Sequence, residues 1–321
     1  MLVGAAPYDL KGAVFLVENT FMNGQYRWAE FRNNIGDLAQ LCRGMAGDGE
    51  KNQLDYSARF LALHRLMTDT LGVTYAGKLV SVHRPFVYDF DDFWGREDFT
   101  QQFVTKLLRT SKGQCHSMPL LYKLIADELG VTTYLSLAPN HSFIQVKDNA
   151  GRLYRYETTN GHFVTEAYYM TTGYIKAGAL RRRAYLDTLT RQETLATCVL
   201  DLAQGYGFRY GPGDFSDKCA RLALEYYPQS VQATMLLHNT ALYKYVKAFQ
   251  KAGSPPPDQA RHLPTLQPLW ADVEKWRWVL NELGHEEMPP DKYASWLKSV
   301  SAEQARITAQ QSAHFQQTVR K

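Results

Sequence analysis

Cysteine is scarce in this sequence. Cys42, Cys115, Cys198 and Cys219 are the only four in 321 residues, and no two form a C-x-x-C pair. That excludes a disulfide scaffold and offers no zinc-ribbon or dithiol-exchange motif, so each thiol is judged by its neighbours. Long apolar runs are missing as well. Gly12 to Val17 is stopped by Glu18, far short of the roughly 18 residues that span a bilayer and wrongly flanked for a signal peptide. The chain reads as soluble, with no membrane span and no signal peptide in this sequence; a removed leader leaves no trace, so the compartment stays open. An excess of one charge is also absent. The 36 Lys and Arg against 32 Asp and Glu leave +4, too mild and dispersed for a nucleic-acid footprint. Arg181-Arg182-Arg183, the one basic cluster, reads as a solvated turn or helix face. His285-Glu286-Glu287-Met288 lacks the second histidine of a zinc-protease helix. Gly205 to Gly211 lacks the spacing and the preceding strand of a dinucleotide fingerprint and reads as a turn. Neither a metal nor a cofactor is expected.

What is present is ordinary globular material: 45% hydrophobic and 21% charged residues, with 20 tyrosines and 15 phenylalanines for burial. Apolar residues recur at helical spacing from Trp28 to about Leu41 and from Leu54 to about Leu71, separated by polar turns such as Gly47-Asp48-Gly49. A stretch rich in aromatics and acids, Phe86 to Trp94, then precedes a helix expected to carry Phe99, Phe103 and Leu107. Its segment from Tyr88 to Trp94 is a candidate border for a cleft. Further on, Leu121, Leu124, Ile125 and Leu129 form one helical stripe that Gly130 is suited to end. Pro119 is tolerated only in a first helical turn, so this helix begins within a few residues of Cys115. Three strand-like runs follow, Val131 to Leu137, Ser142 to Lys147 and Leu153 to Thr158, with Asp148 to Gly151 as the last turn.

Beyond about Tyr168 the strand signals fade. Helices are expected over Thr190–Ala203, Ser216–Tyr227 and Val231–Phe249. The segment Cys219 to Pro228 resembles the second helix of a tetratricopeptide unit. The Pro255-Pro256-Pro257 turn separates these from a last helical section with Trp270, Trp276 and Trp278, which either packs on the body or carries a partner surface. The expected class is α+β, with residues 1–178 as a catalytic domain with a helical N-terminal part and residues 179–321 as a helical region.

Chemistry concentrates at Cys115. A thiolate is stabilised by a helix N-terminus and a nearby imidazolium, and the same helix start offers backbone N–H groups for an oxyanion. His141 opens a strand and shares its face with Phe143 and Gln145, while Leu153, Arg155 and Glu157 share a face on the next. If the hairpin closes with Lys147 beside Gly151, His141 stands opposite Glu157; a register one residue away sets it opposite Thr158. The first is preferred, because a carboxylate there fixes the imidazole's orientation while the other ring nitrogen faces the thiol. His83, His116 and His162 could approach the site and are each read first as structural or solvent-facing, and Cys42, Cys198 and Cys219 as packing residues.

These residues resemble the transglutaminase-like branch of the papain-like superfamily over roughly Lys106 to Phe163. Gly113-Gln114-Cys115 is similar to the Gly-Gln-Cys that carries the nucleophile in animal transglutaminases. Asn140 to Ile144 resembles the strand that brings the histidine, and Tyr156 to Thr159 the strand that brings the third residue. The order Cys, His, acid and the separations of 26 and 16 residues agree with that core. The resemblance implies a papain-like core, a Cys-bearing helix packed on an antiparallel sheet. It also implies a Cys115–His141–Glu157 triad that works as a cysteine hydrolase on a protein or peptide, with Gln114 and His116 at the oxyanion or substrate site. Two departures stand out: Glu replaces the usual Asp, and His116 stands where animal enzymes carry Trp, so their acyl-acceptor preference does not transfer. The second reading is a catalytically silent scaffold whose C-terminal helices bind a protein partner.

Overall fold

The computed structural model describes residues 1–47 and 56–319. The turn expected at Asp48-Gly49 and the helix start expected at Leu54 lie outside them. Three helices lead, α1 (Leu10–Phe21), α2 (Trp28–Ala46) and α3 (Tyr56–Thr68). The helix expected to reach Leu71 stops at Thr68, and Leu71 instead opens a hairpin, β1 (Leu71–Tyr75) against β2 (Lys78–His83). Ala76 and Gly77, both at positive φ, close it, the two-residue turn that matches strand twist.

β3 (Val87–Tyr88) runs parallel to β4 (Lys112–Gly113), and between them lie a 3-10 turn at Phe99–Gln102 and α4 (Val104–Thr110). Phe99, Phe103 and Leu107 therefore do not share one helix. Phe103 is extended (φ −87°, ψ 141°), and the break is fixed from another element. Glu18 of α1 accepts hydrogen bonds from the Val104 N–H (2.6 Å) and the Thr105 N–H (2.9 Å), capping α4 with a buried carboxylate.

α5 (Ser117–Leu129) is the central helix. Ten of its 13 residues are buried rather than one stripe, because α2, α3, α4 and the sheet surround it. Pro119 lies in its first turn, and Gly130 ends it at φ +68°. The sheet is an antiparallel meander of β5 (Thr133–Ala138), β6 (His141–Lys147), β7 (Leu153–Glu157) and β8 (His162–Val164). β8 had no signal in the sequence.

The hairpin register differs from both expectations, since Lys147 pairs with Leu153 and Ile144 with Tyr156. Asp148 enlarges the loop, its Oδ1 accepting from the Ala150 N–H (2.9 Å) and the Arg152 N–H (2.8 Å) around left-handed Gly151. A two-residue offset preserves the alternation of faces, so Glu157 still shares a face with His141.

Helices make up the rest: α6 (Glu166–Thr172), α7 (Ala177–Arg181), α8 (Arg191–Tyr210), α9 (Asp214–Tyr226), α10 (Val231–Lys251), α11 (Pro257–Ala260), α12 (Gln267–Glu282) and α13 (Pro290–Val319). The turn expected at Gly205–Gly211 is helical to Tyr210. Gly205 is there for packing, since a Cβ would stand 3.0 Å from Phe21 and 3.1 Å from Phe99. One core cluster runs from Leu10 through Leu121 and Tyr156 to Leu237 and Trp276. A smaller one joins Phe143 and Tyr169 to Ala179, Tyr185 and Leu280. The molecule is thus a mostly helical α+β protein with a small antiparallel sheet. No described helix is long and apolar enough to cross a membrane.

Candidate active site

Cys115 immediately precedes His116, which stands at the N-terminal boundary of α5 without a capping hydrogen bond from its side chain. Gly113 makes this approach possible: a Cβ on it would lie 2.8 Å from Leu107, 2.9 Å from Met118 and 2.9 Å from Ser117. Ser142 of β6 donates a hydrogen bond to the Cys115 carbonyl (2.5 Å), and the Cys115 thiol lies 3.7 Å from the Asn140 carbonyl. Helix start and strand start are thereby tied together. Cys115 remains partly exposed, whereas Cys42, Cys198 and Cys219 are buried. Burial pushes the Cys42 thiol up to about 12 and Cys198 well above its usual value, so both are inert packing residues.

Glu157, almost fully buried, stands with Oε2 2.5 Å from His141 Nε2. Its other oxygen accepts from the Thr159 hydroxyl (2.8 Å), and Tyr169 donates to Oε2 (3.0 Å). Burial opposes charge on both partners, but each outweighs it for the other. The Glu157 carboxylate and the adjoining Cys115 sulfur hold the His141 ring well above the usual imidazole range, and His141 with Thr159 holds Glu157 below the usual carboxylate range. With Nε2 committed to Glu157, the other nitrogen of the ring is left for the thiol. Tyr169 packs this arrangement in place, stacked on Phe143 at 4.0 Å and lying 5.9 Å from the His141 ring.

The structure thus brings Cys115, His141 and Glu157 together. It treats the other two candidates differently. Gln114 is fully buried and its amide nitrogen donates to the Asp92 carbonyl (3.0 Å), so it anchors the loop beside Cys115. His116 turns toward α8, its Nε2 3.3 Å from Asp201 Oδ2. Burial disfavours its charge, yet Asp201, with Cys115 and Glu18 nearby, raises it to about 9. A second imidazolium therefore sits beside the nucleophile at neutral pH, paired with a carboxylate 85 residues away in the chain.

Tyr88 entered the sequence reading only as one end of the candidate cleft border, with no role of its own at the thiol. β3 sets it beside Gly113, its hydroxyl meets the Cys115 sulfur, and burial with the charges of Cys115 and Glu157 keeps it neutral. Its loop is pinned by a buried pair, Lys106 to Asp89 at 2.5 Å. Of the stretch from Tyr88 to Trp94 that composition marked as a candidate cleft border, Tyr88 lies against the thiol and Asp92 is held by Gln114. His83 Nε2 donates to the Leu66 carbonyl of α3 (2.7 Å), and His162 is exposed on β8. The described residues contain no cluster of three or more potential metal ligands.

No family model matches the chain, and no curated protein matches it. Among solved structures, a crystal structure of menin revealing the binding site for the Mixed Lineage Leukemia (MLL) protein aligns with 84% of this chain and 70% of that one, at 13% identity and a TM-score of 0.32. A likeness of that degree carries no argument about this chain.

Proposed function

We propose that the chain is a thiol-dependent acyl-transfer enzyme of the transglutaminase-like kind, working as a peptidase or amidase on a protein or peptide. The observation that supports this most is the half-buried His141 ring 2.5 Å from the buried Glu157 carboxylate, with the partly exposed Cys115 against the same imidazole. A structural histidine does not require a buried carboxylate, a tyrosine hydroxyl and a thiol around it.

In this reading Cys115 is the thiolate and His141 the imidazolium. Sulfur attacks the carbonyl carbon, and the oxyanion is met by backbone N–H groups at the start of α5, each worth about 3 kcal/mol in comparable sites. His141 protonates the leaving amine, then takes a proton from the water that opens the thioester and returns enzyme and carboxylic acid. Glu157 keeps the ring oriented through both proton transfers and stabilises its charged form. Gln114 positions the loop through Asp92, and His116 adds positive charge beside the sulfur. The test is turnover of a peptide-amide library followed by mass spectrometry. Cleavage by the wild type should vanish in Cys115→Ala with the fold intact, and undiminished cleavage by that variant contradicts the reading.

A further inference from the structure

α13 lies across the two sides of this site. Of its residues 290–306, those partly covered are Tyr293, Trp296, Leu297, Val300 and Glu303, one face at helical spacing, and none is fully buried. At one end Trp296 packs on Trp94 (ring centroids 5.7 Å) and Phe93 (6.2 Å), with Tyr293 stacked behind it (5.8 Å). Phe93 and Trp94 directly follow Asp92, whose carbonyl is held by Gln114, the residue before the nucleophile. At the other end Glu303 lies within electrostatic reach of the His162 ring and the Tyr168 hydroxyl, and Tyr168 precedes the tyrosine that bonds Glu157. Seven helical residues, about 10 Å of axis, separate Trp296 from Glu303. The helix therefore bridges from the Cys115 side to the Glu157 side while burying little of itself.

We propose that the Phe93–Trp94 lip is the subsite for a bulky aromatic side chain of the peptide substrate, and that Trp296 of α13 fills it as a tethered competitor. This rests on the enzyme reading above and names its substrate class. A half-covered indole on two aromatic rings is a displaceable contact: a peptide bearing Phe, Tyr or Trp offers the same ring surface, and an aromatic pair of this kind contributes about 1 kcal/mol beyond its area. Occupancy by α13 lowers apparent affinity in proportion to the fraction of molecules that are open.

The experiment uses the full chain as wild type, Trp296→Ala and Phe93→Ala/Trp94→Ala. Cys115 alkylation is followed by mass spectrometry with iodoacetamide, with a phenylalanyl peptide chloromethyl ketone and with its glycyl counterpart. Trp296→Ala should accelerate the phenylalanyl reagent by about tenfold or more, the inverse of the open fraction, and the glycyl reagent much less. In the double variant the phenylalanyl reagent should lose its advantage. Equal acceleration of both reagents, or none, overturns the proposal. If Cys115 is no more reactive than the buried cysteines in any variant, the enzyme reading fails by itself. Hydrogen exchange over residues 93–98 then judges the contact: faster exchange in Trp296→Ala supports it, and unchanged exchange overturns it.

Discussion

Three groups converge on Glu157: the His141 ring, the Thr159 hydroxyl and the Tyr169 hydroxyl. Removing its charge while keeping its shape isolates what the carboxylate does. Glu157→Gln should bring the His141 pKa down toward its usual range and slow Cys115 alkylation at acidic pH by about 10- to 1,000-fold, since several kcal/mol of charge pairing is lost. Iodoacetamide rates between pH 4 and 9 check this, and an unshifted profile counts against the pair. Tyr169→Phe deletes one hydrogen bond to a charged acceptor, and a loss of about 1.5–3 kcal/mol in thermal or denaturant unfolding is expected. At this scale the sequence showed part of the pair: alternation along two strands, with the preferred register, put His141 and Glu157 on one face, and the observed register, two residues away from the preferred one, keeps them there. It could not show that Asp201 meets His116, because the helices bearing them become neighbours only in the folded core.

Between elements, the start of α5 is where local geometry matters most. Gly113 faces Leu107, Met118 and Ser117 at 2.8–2.9 Å from an added Cβ, so Gly113→Ala must displace the turn that carries Cys115. A loss of about 1–3 kcal/mol in unfolding free energy, with slower alkylation at Cys115, is the expected outcome. An alanine variant of wild-type stability would show that the turn yields. The elements that escaped the sequence share a cause. β8 is three residues long and β1–β2 carries its apolar Leu79, Val80 and Val82 exposed, so neither has the half-buried alternation by which strands are read. The break at Phe103 depends on a cap supplied by Glu18, 85 residues earlier, and no local pattern announces it. The longer β6–β7 loop turns on one carboxylate, Asp148, that accepts two backbone hydrogen bonds.

For the molecule as a whole, buried titrating groups set how stability follows pH. Burial raises Glu18 from 4.5 to about 7, and Asp201 raises His116 from 6.5 to about 9. Both bind protons more tightly when folded, so both contributions are complete below the unfolded values and are lost as pH rises, from 4.5 to 7 for Glu18 and from 6.5 to 9 for His116. Each window corresponds to at most about 3 kcal/mol. Glu157 acts in the opposite sense, its contribution being lost as pH falls below the usual carboxylate value. Unfolding free energy measured from pH 4 to 9 should therefore peak near pH 5 and decline to pH 9, and Glu18→Gln should flatten the part from 4.5 to 7. A monotonic rise to pH 9 would contradict this. The central claim is a coupled thiol and imidazole at Cys115 and His141, and intact-protein mass spectrometry of iodoacetamide labelling across pH tests it most directly. Wild-type Cys115 should react at acidic pH while Cys42, Cys198 and Cys219 stay unlabelled, and His141→Ala should abolish that reactivity; a slow Cys115 with the same profile in both proteins would contradict the account.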